Sequence, residues 1–265
     1  MLNQKKLIMY LYYIVLSPDY EYENIDKQFR TRLFYNVQFL NNYLGGCVRK
    51  LKAKTTGYTM LSINLHPTED SCEFSDYTKS LQVNIRFTRD DISYLKTLKN
   101  LPERFDYYLS LYERGYRRAI EEGYTEIPLD RLLHIHEQFR SEGYNNSWLW
   151  KKKLLREDDT YLFFYIHFSS FDIRMTLTVM DKKKTIVKCA DTICQMNPWY
   201  DFFGKSFRKL TFTDTEIILM DFIDNPFLSI DRKALCEGKI SVTLLDEDYI
   251  EHILEDQNII KKITW

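Results

Sequence analysis

The sequence predicts an α+β protein: a mixed α/β N-terminal part with helices packed on a sheet, then a largely antiparallel β meander, then a C-terminal helix. Three observations predict it. Long stretches of the first 145 residues repeat apolar side chains at helical spacing. From Ser147 to Leu245 the chain changes to short apolar or alternating runs of strand length. The two kinds of segment do not alternate regularly, as they would in a parallel sheet built from repeated βαβ units.

A buried first strand is expected from Lys6 to Leu16, where β-branched and aromatic residues dominate. Two lysines before an apolar run also resemble a signal peptide, but three tyrosines interrupt the run and no small-residue cleavage site follows. Ser17-Pro18-Asp19 turns the chain. A helix then opens near Asn24, a suitable N-cap. Ile25, Phe29, Leu33, Val37, Leu40 and Leu44 form its stripe, and Gly45-Gly46 is expected to stop it. Strands over Cys47–Ala53 and Tyr58–Leu65 are expected to form a hairpin about Thr55-Thr56-Gly57. Pro67 to Asp76 reads as a polar loop.

Leu81 to Phe87 alternates cleanly, so one face is expected to be apolar and the other wet. Thr88 should cap a short helix over Asp90–Leu98, with Asp90 and Asp91 complementing its dipole. Pro102 suits the first turn of a longer helix. Its stripe is Phe105, Tyr108, Leu109, Tyr112, Tyr116, Ala119 and Ile120, and Gly123 ends it. Pro128 to Arg140 is a further helix, with Leu129, Leu132, Leu133 and His136 on one side.

Beyond Gly143 the expected strands are Trp148–Leu155, Tyr161–Phe168, Ile173–Met180, Thr185–Ile193, Lys209–Phe212, Ile217–Phe222 and Ile240–Leu244. Asp181-Lys182-Lys183-Lys184 is a hairpin connection. Asp246 opens the closing helix. Ser141–Asn146 separates an α/β part, 1–145, from an antiparallel part with its closing helix, 146–265. The same short segment also fits a loop inside one continuous domain.

Composition excludes several function classes. Hydrophobic residues make up 45% of 265, enough for a sizeable core. With 8 Gly there is little material for phosphate-cradling loops, and no GxxxxGK[ST], GxGxxG, GxSxG or HExxH occurs. Lys plus Arg numbers 37 against 38 Asp plus Glu, a balance that argues against nucleic acid as the partner. Cys47, Cys72, Cys189, Cys194 and Cys236 are odd in number and irregularly spaced, so they are read as reduced thiols of a cytoplasmic protein. No stretch reaches the roughly 20 apolar residues of a membrane-spanning helix. Aromatic residues are 15% of the chain, with 20 Tyr and 17 Phe. They fill a core first, and their polar tips suit an interface.

Candidate chemistry is sparse. His134 and His136 lie two apart, which on a helix points them away from one another. Glu237-Gly238-Lys239, with Asp224 or Asp231 upstream, has the pattern of a Mg²⁺-dependent nuclease, in which acids hold the ion and a lysine assists the attacking water. Asp214, Glu216 and Asp221 are further acids nearby. Glu157-Asp158-Asp159 reads as a solvated turn. Lys151-Lys152-Lys153 and Lys182-Lys183-Lys184, interleaved with Trp148, Trp150, Phe163 and Tyr165, fit either a lysine-guarded sheet edge or an aromatic-basic face for single strands. No catalytic residue, cofactor or metal ligand set is assigned.

Asp246 to Asp256 carries six acids and no Lys or Arg. Asp246, Glu247, Asp248, Tyr249, Glu251 and Glu255 are the candidate partner-binding residues, a docking surface for a basic protein. The reading that follows is a cytoplasmic protein-binding or inhibitory protein, with an immunity protein that covers the active surface of a toxin as one form. The alternatives are a Mg²⁺-dependent nuclease-like enzyme and a nucleic-acid-binding module.

Overall fold

A computed structural model describes residues 8–18, 27–68, 70–124, 127–196, 198, 207–221 and 223–245, with backbone alone for 27–29, 31 and 32. The chain divides into two compact units, the first ending at Asn145 and the second starting at Asn146. The class is α+β.

The first unit opens with β1 (Ile8–Tyr10) and β2 (Tyr13–Pro18). The single expected strand is thus two. At Leu11 and Tyr12 the backbone leaves the first ladder, and Leu11 donates to Ala53 while Tyr12 donates to Thr59. Helix α1 (Lys27–Leu51) follows, and the expected N-cap Asn24 lies outside the described residues. Leu33, Val37, Leu40 and Leu44 are all buried, as the stripe predicts.

Gly45-Gly46 does not stop α1, and Cys47–Ala53 is not a strand. Val48 continues the stripe at full burial. Neither glycine has a positive φ, so nothing in the backbone turns there, and tertiary packing outweighs the ~1 kcal/mol propensity cost of each glycine. The helix ends at Leu51, with Arg49 and Lys50 in its last turn and Lys52 in the left-handed region at φ 48°.

Strand β3 (Lys54–Thr56) pairs with β1, and β4 (Met60–His66) joins β2, so no hairpin forms about Gly57. The stretch expected as a polar loop contains β5 (Ser71–Ser75), an antiparallel edge strand on β6 (Ser80–Arg86). Its burial alternates too weakly to read as a strand from sequence. The sheet order is β2-β4-β6-β5, with β2, β4 and β6 parallel.

Ile14, Leu16, Leu61, Ile63, Leu65, Leu81, Val83 and Ile85 are buried on one face of this sheet. The opposite face, which also carries Tyr13, Val15 and Met60, holds a polar cluster joined by hydrogen bonds. Asn64 Oδ1 accepts from Ser17 and Ser62, while Asn64 Nδ2 donates to Gln82 at 2.9 Å and Asn84 at 3.0 Å. One amide so uses all four of its hydrogen-bonding positions across three strands. A slip of one residue would break every bond of this set and expose the apolar face.

Helices α2 (Arg89–Thr97), α3 (Leu101–Glu121) and α4 (Leu129–Ser141) complete the unit. Thr88 is the N-cap of α2, and its backbone N–H donates to Asp91 at 2.7 Å. Pro102 sits in the first turn of α3, and the Asn100 side chain accepts from the Glu103 N–H. The expected α3 stripe is buried except at Ile120, which is only half-buried, and Leu111 and Gly115 join it. In α4 the buried face is Leu132, Ile135, His136 and Phe139. It is rotated from the expected one, with Ile135 and Phe139 buried and Leu129 and Leu133 only half-buried.

The second unit consists of two antiparallel meanders. The first is β7 (Ser147–Leu155), β8 (Thr160–Phe168), β9 (Ile173–Asp181) and β10 (Val187–Met196), ordered β10-β9-β8-β7. Strand β10 starts two residues later than expected, because Asp181 accepts from the backbone of Thr185 and Ile186 and lengthens the turn. The second meander is β11 (Lys209–Phe212), β12 (Glu216–Met220), β13 (Pro226–Asp231) and β14 (Val242–Leu244), in that order. The short helix α5 (Arg232–Cys236) follows β13. Strand β13 was not expected from sequence. Its Phe227–Ile230 run is fully buried and has no alternation to reveal it.

Candidate functional site

The acidic candidates Asp246, Glu247, Asp248, Tyr249, Glu251 and Glu255 lie outside the described residues, as does the expected closing helix.

The nuclease-like residues are placed individually. Asp224 is in a left-handed turn, φ 64°, and its carboxylate accepts from Lys209 at 2.8 Å. Asp231 caps α5 by accepting from Ala234. Glu237 is the C-cap of the same helix. Asp221 accepts from Ile223 and Asn225 within its own turn. A cleft of about 410 Å³ is lined by Asp158, Asp214, Glu216, Asp231 and Arg232 among others. Among the described residues no three His, Cys, Asp or Glu side chains gather as a metal site would need. His134 is exposed and His136 buried, so the two diverge as helical spacing requires. All five cysteines are free.

Two surfaces carry chemistry that local structure explains. The first belongs to the first unit. Ile8, Tyr10, Tyr12 and Tyr13 are 68%, 41%, 42% and 50% exposed, four large apolar side chains within six residues. Isolated exposed apolar residues are ordinary, but here the two-residue break between β1 and β2 turns successive aromatic rings outward. Arg49, in the last turn of α1, donates to the Tyr12 carbonyl at 3.2 Å and places its guanidinium 5.8 Å from the centre of the Tyr13 ring. Lys50, Lys52 and Lys54 are also exposed beside it in sequence, and Lys54 pairs across the ladder with Tyr10. Among the described residues none of these four cations has a carboxylate within ion-pair distance. No charged residue occurs from Ile8 to Pro18. The sequence predicts a buried strand here, and the structure instead leaves these rings exposed. The three tyrosines, Tyr10, Tyr12 and Tyr13, are the available signal that one face is not core.

The second surface is on the β7–β10 sheet. Period-two alternation puts Tyr161, Phe163 and Tyr165 of β8 on one face. Their rings lie 5.9 Å and 6.3 Å apart in succession, the latter pair nearly parallel at 14°. Lys152 of β7 pairs with Phe163 and holds its ammonium 4.9 Å from the Tyr161 ring centre and 5.5 Å from that of Phe163. Lys184, from the β9–β10 turn, stands 4.7 Å from the Tyr161 ring. The two ammonium groups crowd each other, which holds Lys152 below the ordinary lysine range. Lys151 and Lys153 are engaged elsewhere, over Trp150 and Phe212. On the edge strand β7 they also discourage pairing with another chain.

No protein-family model matches the chain, and neither a curated protein nor a solved structure matches it significantly.

Proposed function

We propose that the chain is a binding protein that acts by covering a surface of another protein, and that the Tyr10-Tyr12-Tyr13-Arg49 patch is its anchor. The exposed aromatic cluster around an arginine supports this reading most directly. Tyr and Arg dominate the energetically important positions of protein interfaces, because they combine large contact area with directed hydrogen bonds. Lys54, opposite Tyr10 in the ladder, and Lys50 and Lys52, close in sequence to Arg49, add positive charge with no carboxylate at ion-pair distance among the described residues, which fits a partner with an acidic surface. Inhibition by cover, as an immunity protein inhibits a toxin, needs this kind of surface and no reacting groups.

A photo-activatable cross-linker placed at Tyr10 tests the reading in the native host. One protein should be joined in stoichiometric amount, and the same cross-linker at exposed Tyr77, on the β5–β6 turn, should join none. Equal, unselective labelling from both positions would overturn it.

A further inference from the structure

We propose that the outer face of the β7–β10 sheet binds single-stranded nucleic acid, with Lys152 and Lys184 holding a phosphate and the Tyr165 ring stacking a base.

The chain-wide charge balance conceals a local excess. Residues 146–196 contain nine Lys and Arg against six Asp and Glu. The carboxylates of this stretch are committed. Asp158 and Glu157 face Arg232, Asp159 pairs with Lys182, and Asp172 pairs with Arg174 and accepts from Gln195. Asp181 and Asp191 accept backbone N–H groups of their own turn and strand. Lys152 and Lys184 are left over one ring, near each other, with no carboxylate at ion-pair distance among the described residues. Two crowded ammonium groups repel, and a phosphate seated between them relieves the repulsion. Its oxygens also accept from both donors.

The aromatic ladder distinguishes a nucleic acid from other anions. Tyr165 continues the row beyond the lysines, and none of the described cations sits over it. A half-exposed ring beside a phosphate site is the arrangement that sequence-tolerant single-strand binders use. An acidic polypeptide would use the lysines and leave the ladder idle.

Fluorescence anisotropy of a labelled oligothymidylate with the full chain tests this over a series of salt concentrations. Saturable binding that weakens with salt is expected. The Lys152→Ala/Lys184→Ala pair should lower the log–log salt slope by about 0.7, the value for one phosphate contact on a single strand. Lys152→Arg/Lys184→Arg should retain it. Tyr165→Ala should weaken binding by about tenfold with the slope unchanged. Unchanged circular dichroism separates these effects from misfolding, and Tyr12→Ser/Tyr13→Ser should leave oligonucleotide binding intact. Absence of saturable binding, indifference to the lysine substitutions, or equal binding of polyglutamate with no effect of Tyr165→Ala would each overturn the proposal, the last by making an acidic polypeptide the occupant.

Discussion

His136 Nε2 and the Tyr116 hydroxyl lie 3.3 Å apart in the core of the first unit and join α4 to α3 through one hydrogen bond. Both groups are buried. Burial pushes the Tyr116 hydroxyl far above the ordinary phenol range, so it keeps its proton at any physiological pH. Burial, assisted by the Arg140 charge and opposed by Glu113, pulls His136 down to about 4. The core therefore contains a neutral imidazole.

A histidine whose folded value lies below its unfolded value of about 6.5 contributes stability above that pH and loses it as pH falls toward the folded value. The first unit should lose roughly 3 kcal/mol between pH 6.5 and 4 from this residue, at 1.4 kcal/mol for each pH unit of difference. Urea unfolding across this range should show the loss, and His136→Gln should flatten it while lowering stability at pH 7. A curve unchanged by the substitution would mean that His136 does not control the acid limb.

Two helical glycines should respond oppositely to alanine. A Cβ at Gly115 would meet Ile63 side-chain carbons at 2.6 Å, so Gly115→Ala should cost about 1–3 kcal/mol by overpacking. The loss in Gly115→Ala/Ile63→Ala should be smaller than the sum of the two single losses, since each change makes room for the other. At Gly45 the new Cβ would find Arg49 and the Tyr12 carbonyl at 3.5 and 3.7 Å, ordinary contacts. Gly45→Ala should stabilise by about 0.5–1 kcal/mol through helix propensity. Thermal unfolding of these four variants, Ile63→Ala included, decides, and a stabilising Gly115→Ala would contradict the packing described.

Arg232 should be the most sensitive charged residue of the second unit. Its side chain is 11% exposed, and Nη2 donates to Asp158 at 2.9 Å across 74 residues of chain. Nη1 donates to the Thr213 carbonyl. One guanidinium thus ties the β7–β8 turn, the β11–β12 turn and α5. Removing one partner strands the other, and Arg232→Met should cost about 3 kcal/mol. Arg232→Lys should recover less than half of this, because an ammonium lacks the planar fork that reaches two acceptors. Guanidinium unfolding that places all three proteins at one midpoint would show the tie to be idle.

Much of this architecture was legible where a single period governs a segment. The stripes of α1 and α3, the alternation of β6 and the capped start at Thr88 are written in residue spacing. The failures share a cause, which is tertiary context overriding a local rule. Gly45-Gly46 reads as a stop until Val48 is seen to remain in the core, and β13 is buried throughout and has no alternation. The lysine runs and Phe163 were visible as an aromatic-basic group. Tyr161 and the pairing of Lys152 with Lys184 were not, because they come together only through the β9–β10 turn. The Tyr patch was read as core because strand propensity does not say which rings face water.

Protein binding through Tyr12, Tyr13 and Arg49 is tested most directly by paired captures from the native host. Tagged wild-type chain and its Tyr12→Ser/Tyr13→Ser/Arg49→Ser variant, matched in circular dichroism, should differ by one stoichiometric protein. That protein should be retained by wild type, lost by the variant, and still retained by Lys152→Ala/Lys184→Ala. Recovery of the same protein by wild type and the patch variant alike, or of none by either, would contradict the claim.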